Sequence, residues 1–295
     1  MKMKSIISFV FLLQVISNVV NMVTAQFPQD SVYKCRNTGN YTTTSDYARN
    51  LKVALNAVGM SKKVSGKFYN SSYGGNEAAY ALALCSEVAF RWGGDCNDCV
   101  TKLSNLVSIK CLNEKEAVIW GSNCMVRYSD RKIFGILDDW VWNLLPEQGV
   151  AANRALFDKT VYNLATTLQG AAAGGDNRKK AALGTMTYQP NNVTVYGTMQ
   201  CTPDLSKELC SKCLQKIIMP HHPCCTGKTA ARMFSPNCFF SYTVQDFHHW
   251  KPNQALATSD YSRFVYHHLD LYSDFSPNRF DFFPKSPPPD LCQVN

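Results

Sequence analysis

Beyond its first 25 residues, the 295-residue chain has no long apolar run, so no later segment is suited to crossing a membrane. Concentrated charge is also scarce: 18% of residues are charged, and the net charge of +8 is spread along the chain. No Lys/Arg run with interleaved aromatics occurs, which argues against nucleic-acid binding. The mild positive charge stays compatible with attraction to acidic wall polymers. Signatures of catalysis are missing as well. No paired carboxylates, nucleophile–base grouping or metal-ligand frame stands at a recognised spacing, although triads need not be local in sequence. Cys224-Cys225-Thr226-Gly227-Lys228-Thr229 ends like a phosphate loop but lacks its first glycine at the required distance. His221-His222 beside Cys224 and Cys225 matches no standard zinc spacing, and flanking Pro220 and Pro223 point to a solvated loop. The sequence therefore implies no metal and no cofactor.

Cysteine, by contrast, is plentiful, with 13 residues. Cys85, Cys96 and Cys99 are spaced C-x10-C-x2-C, and Cys201, Cys210 and Cys213 are spaced C-x8-C-x2-C. After each C-x2-C come equal gaps, x11 to Cys111 or Cys225 and then x12 to Cys124 or Cys238. Two matching gaps of that length indicate an internal duplication. A duplicated chain of this length divides into two domains large enough to bury a core, so disulfides would reinforce the fold without replacing that core. The boundaries follow: 1–25 a leader, 26–138 the first cysteine-rich repeat domain, 139–246 the second, and 247–295 an aromatic, proline-bearing tail expected to be poorly ordered.

The leader has the form of a secretory signal. Lys2 and Lys4 precede the mostly apolar stretch 6–20, and Val23-Thr24-Ala25 suits cleavage before Gln26. Gln14, Ser17, Asn18 and Asn21 interrupt the apolar run, which disfavours an uncleaved anchor. The expectation is a soluble, secreted, extracellular (apoplastic) chain with no membrane span after processing. Abundant cysteine suits that oxidising compartment. Sequons at Asn40, Asn70 and Asn192 are candidate glycosylation sites there.

Along the chain, residues 26–44 read as an opening strand or loop. Ser45 can cap a helix to about Val58, with Tyr47, Leu51, Leu55 and Val58 on one face and Gly59 as a stop. Asn70-Ser-Ser-Tyr-Gly-Gly signals a turn, and Ala79–Cys85 a strand. Asp95 can cap a second helix ending near Cys111, and Ala117–Ser129 is a strand candidate. Downstream the order recurs: a helical stripe of Phe157, Val161, Leu164 and Leu168 stopping at Gly170, a loop over 171–180, a strand at Val193–Cys201, a helix from Ser206 or Lys207 to Ile218, and an extended stretch over Arg232–Val244. The fold class expected is α+β, with helices on one face of an antiparallel sheet in each of two tandem, disulfide-braced domains.

Six cysteines allow fifteen connectivities, and geometry narrows them. Residues i and i+3 of a helix share a side, so Cys96 and Cys99 both face the sheet. Cys85 ends the preceding strand and reaches Cys96; Cys99 reaches Cys124; Cys35 and Cys111 remain. The parallel argument gives Cys201–Cys210 and Cys213–Cys238. Redox and zinc roles for these thiols are disfavoured by partners at duplicated distances and by secretion. Cys224, Cys225 and Cys292 are left over. Thirteen is odd, so at least one thiol stays unpaired or pairs between chains, which leaves a homo-oligomer open.

The runs VYGTMQCTPDLSKELCSKCLQ, CCTGKTAARMFSPNC and EAVIWGSNCMVRYSD resemble the plant cysteine-rich repeat domain, also called the ginkbilobin-homologous or stress-antifungal domain. It occurs in tandem in secreted cysteine-rich repeat proteins, plasmodesmata-located proteins and ectodomains of cysteine-rich receptor-like kinases. The resemblance implies two helices against a five-stranded antiparallel sheet in each domain, and the pairing above is the family's usual one. It also implies a secreted, non-enzymatic defence or stress module that recognises an extracellular protein or glycan ligand, with a receptor-like kinase among the candidate partners. One alternative is an antifungal lectin of mannose type; another is a truncated receptor-like kinase ectodomain acting as decoy or co-receptor. In the mannose-binding member, the sugar contacts are an Asn after the first cysteine, an Arg seven residues after the third-pair cysteine and a Glu five after the last. Arg36, Val118 and Ser129 hold those places in the first copy. In the second, only Arg232 matches, and Thr243 stands at the Glu position.

Overall fold

The computed structural model describes residues 31–245, apart from 61–66, 89–94, 122, 139, 141–142, 147–148, 178, 190–191 and 219–224. The leader, the tail expected to be poorly ordered, and Cys224 and Cys292 lie outside the described residues.

Ser45 opens the first helix, α1 (Asp46–Gly59), its side chain accepting from the Ala48 N–H at 3.2 Å. The helix turns Tyr47, Leu51, Ala54, Leu55 and Val58 inward. It runs through Gly59 instead of stopping before it, and Met60 N–H closes the last turn onto the Asn56 carbonyl at 2.9 Å. Asp95 caps α2 (Cys96–Lys110) by accepting from Asp98 N–H at 2.9 Å. Thr101 in α2 donates to the Gly59 carbonyl at 2.7 Å, tying the two helices together.

Five strands complete the first unit: β1 (Val32–Asn40), β2 (Phe68–Tyr73), β3 (Ala79–Cys85), β4 (Glu114–Trp120) and β5 (Cys124–Ser129). They form an antiparallel sheet in the order β1-β4-β5-β3-β2. The stretch expected as one strand, Ala117–Ser129, is in fact the β4–β5 hairpin. Gly121 N–H donates to the Cys124 carbonyl at 2.8 Å and folds the chain back there. Asn70–Tyr73, expected as a turn, belongs to β2, and the turn comes afterwards at Gly74, whose φ is +96°.

The second unit repeats this plan with β6 (Asn143–Pro146), α3 (Arg154–Ala173), β7 (Lys180–Tyr188), β8 (Val193–Cys201), α4 (Lys207–Ile218), β9 (Ala230–Phe234) and β10 (Cys238–Thr243). Its sheet order, β6-β9-β10-β8-β7, is the same topology. Arg232–Val244 likewise resolves into a hairpin, with Ser235 N–H on the Cys238 carbonyl at 2.8 Å. Gly170 does not stop α3, which continues to Ala173 and is capped by Gly174. β7 was hidden in sequence because Lys-Ala-Ala-Leu-Gly-Thr carries no strand pattern; its pairing with β8 over nine consecutive rungs makes it a strand.

Each helix pair covers one face of its sheet and encloses a separate core, with Leu103, Ile119, Val126 and Tyr128 at the centre of the first and Phe157, Leu164, Leu214 and Phe240 at the centre of the second. The compact units divide between Ile136 and Leu137. The second core shows a local exchange of volume. Leu164 and Leu168 of α3 sit over Gly197 and Gly184, facing glycines on adjacent strands, where an added Cβ would meet them at 2.9–3.0 Å. At the equivalent positions the first unit has Ala54 and Val58 in the helix and Ala81 and Ser71 in the paired strands. Larger helix residues face smaller strand residues, so both interfaces close.

Candidate functional site

Among the described residues the disulfides are Cys35–Cys111, Cys85–Cys96 and Cys99–Cys124 in the first unit, and Cys201–Cys210 and Cys213–Cys238 in the second. Their Cα–Cα separations, 5.4 to 6.2 Å, lie in the usual range. In each unit the cysteine-bearing helix is thus stitched to two central strands. These ten sulfurs are structural, which leaves the surface positions and the unpaired thiol to consider.

The positions matching the sugar contacts fare differently in the two units. In the first, β1 places Arg36 on the rung opposite Glu116 of β4, on the sheet face away from the helices. Glu116 is fully buried and gathers three guanidinium groups. Arg131 reaches it with two bonds of 3.2 and 3.0 Å, the fully buried Arg127 at 3.2 Å, and Arg36 at 3.4 Å. Val118 and Ser129 are themselves fully buried. An ion-pair cluster therefore occupies the ground where the relative's sugar contacts would stand. Sequence reasoning missed Glu116, Arg127 and Arg131; the available signal was an arginine inside the apolar run Met125-Val126-Arg127-Tyr128.

In the second unit the cluster is gone. Ala230 and Ser241 take the rungs of Glu116 and Arg127. Arg232 of β9 is partly exposed, opposite Ser241 and next to Leu145 of β6, and Thr243 lies on the same face one rung pair along. Arg232, Ser241 and Thr243 are partly exposed, whereas Leu145, Ala230, Thr198 and Gln200 on the same face are buried.

Cys225 stands where Cys111 stands, but it is a free, buried thiol. The reason lies on the facing strand. Cys35 opposes Ala117 in the first sheet, and Pro146 opposes Ala231, its counterpart, in the second. Proline on the short outer strand β6 thus replaces the missing partner. Burial, with the charge of Asp158, pushes the Cys225 thiol up to about 11. A cavity of about 40 Å³ opens beside it, lined by Asp158, Val161, Ile217, Cys225, Phe240 and Tyr242. That space suits a few waters and is far too small for a sugar.

Three tyrosine hydroxyls brace the units from within. Tyr47 donates to the Lys115 carbonyl at 2.6 Å and Tyr128 to that of Glu114 at 2.9 Å; Tyr242 donates to the Cys225 carbonyl at 3.4 Å. Burial raises the pKa of all three. The sequon asparagines Asn40, Asn70 and Asn192 are all exposed, at the end of β1, within β2 and at the β7–β8 turn. No helix of the described residues is long and apolar enough to cross a membrane.

Comparison with known proteins places this geometry. Residues 34–131 and 147–245 each match the model of the salt stress response/antifungal family. The chain is 33% identical over 222 residues to cysteine-rich receptor-like protein kinase 29 of Arabidopsis thaliana, covering 74% of this chain and 32% of that protein. It thus spans about a third of the length of the receptor-like kinases it matches. Antimicrobial ginkbilobin-2-like protein of Castanea crenata is 30% identical, the match covering 72% of this chain and 86% of that one. Cysteine-rich repeat secretory protein 1 of Arabidopsis thaliana is also 30% identical, over 70% of this chain and 61% of its own length. In fold, the chain is similar to the tandem DUF26 ectodomain of the Arabidopsis thaliana cysteine-rich receptor-like protein PDLP8, with a TM-score of 0.59 at 20% identity, covering 72% of this chain and 96% of that one.

Proposed function

The chain belongs to the salt stress response/antifungal family, and from that premise we propose that it is a secreted, non-enzymatic plant defence or stress-response module that recognises an extracellular ligand or cell-surface protein. The supporting observation is the employment of its chemistry-bearing side chains. Ten cysteines form disulfides, Glu116 is saturated by three arginines, and the buried tyrosine hydroxyls hold backbone carbonyls. Such groups make a rigid support, and specificity falls to the loops and outer strands around it. The relatives named as secreted and antimicrobial proteins point the same way.

A second reading, a lectin of mannose type, has one observation in its favour: Arg232 and Thr243 are both partly exposed on the same face of the second sheet. One design separates the two. The secreted, glycosylated chain is screened on a glycan array and, in parallel, used for capture from plant cell-wall and membrane fractions. A saturable protein partner with no sugar signal is the expected result. A mannose signal lost on Arg232→Ala would move the assignment to the lectin, and turnover in a hydrolase screen would overturn the non-enzymatic reading.

A further inference from the structure

The outer strands of the first sheet are β1 and β2. An outer strand directs every second N–H and C=O away from its sheet, and such a row templates pairing with another chain unless something blocks it. β1 carries Lys34 and Arg36 and an irregularity in register between Arg36 and Asn40. β2 has none of these devices. Phe-Tyr-Asn-Ser-Ser-Tyr contains no charge and no proline, and it pairs with β3 in unbroken register from Phe68–Leu84 to Tyr73–Ala79.

The phase of that ladder is fixed by Cys85 N–H donating to the Lys67 carbonyl at 2.7 Å. Odd-numbered residues of β2 therefore bond inward to β3, while the backbones of Phe68, Asn70 and Ser72 turn outward. Asn70 is the middle of this outward set. It is exposed, and with Ser71 and Ser72 it forms a sequon. Buried Tyr69 points into the core, so the Asn70 side chain leaves on the opposite, solvent-facing side of the strand.

We propose that Asn70 carries an N-linked glycan whose role is to close the β2 edge against pairing with a second copy of this chain. A second copy is the occupant that fits, because two uncharged β2 strands running antiparallel bring no like charges into opposition. A bulky hydrated glycan rooted at the centre of the strand excludes that approach, doing by modification what lysine or proline does on other edges.

The test is expression with the native leader in plant cells, followed by peptide mapping and light-scattering mass at increasing protein concentration. The expected result is occupancy at Asn70 and a monomeric wild type. Asn70→Gln and Ser72→Ala should both lose that glycan and move toward twice the monomer mass. Asn70→Lys, which also lacks the glycan but puts a charge on the edge, should stay monomeric, as should Asn192→Gln at the β7–β8 turn of the second unit. An unmodified Asn70 in the secreted protein would overturn the proposal, as would a monomeric Asn70→Gln. Association of Asn70→Lys equal to that of Asn70→Gln would overturn it too, since the cause would then be damage to the fold.

Discussion

The two halves of this chain share one topology but are held together differently. The first unit spends a third disulfide and a buried ionic cluster on its β1–β4 margin; the second has a proline, a free thiol and small side chains on the corresponding rungs. The same backbone thus tolerates loss of both devices, because the helix-to-sheet core and the two central disulfides remain. The difference at Arg232 is local: it is partly exposed, where Val118 at the matching position of the first unit is fully buried.

The comparison breaks most sharply at Glu116. Glu116→Ala leaves Arg127 buried beside two further guanidiniums without their shared carboxylate, and should cost the first unit about 3–5 kcal/mol. Urea unfolding read by hydrogen exchange in each unit would show the loss confined to residues before Leu137. Next comes the third disulfide. Replacing Cys35 and Cys111 together by serine should destabilise the first unit by about 2–4 kcal/mol, seen as a lowered unfolding midpoint. The converse change sharpens the same point: Pro146→Cys supplies Cys225 with a partner on the Cys35 rung, and should remove the free thiol in a thiol-counting assay while raising the second unit's midpoint.

Alkaline pH separates the units by the same thiol. The pKa of folded Cys225 is raised from 9 to about 11, so its contribution to stability is present below pH 9, where both states are protonated. As pH rises above 9 the unfolded thiol ionises first and the folded state loses ground, by about 2–3 kcal/mol once pH 11 is passed. Comparing wild type with Cys225→Ala across that window should show a shallower decline in the variant. The smallest effect concerns packing. Gly197→Ala pushes a methyl into Leu164 and Leu168 and should cost about 1–3 kcal/mol, partly restored by Leu164→Ala, which puts alanine at both positions, as Ala54 and Ala81 stand at the equivalent places of the first unit. A thermal melt of the two single variants and the double variant checks this.

The sequence alone established the duplication, the α+β class and four helices with their faces, because cysteine spacing and a 3.6-residue apolar period are local signals. Ser45 and Asp95 announced two helix starts through their capping chemistry, and both caps are present. The outer strands β2, β6 and β7 were not legible, since Asn70-Ser-Ser-Tyr and Ala-Ala-Leu-Gly-Thr become strands only by pairing with a distant partner. Nor could spacing show that Gly121 folds one apparent strand into a hairpin. Only the tertiary structure put Pro146 on the rung corresponding to that of Cys35 and gathered Arg36, Arg127 and Arg131 around Glu116, because strand register brings together residues far apart in sequence, 80 positions in the case of Arg36 and Glu116. The frame was local chemistry; the difference between its two copies was decided by register.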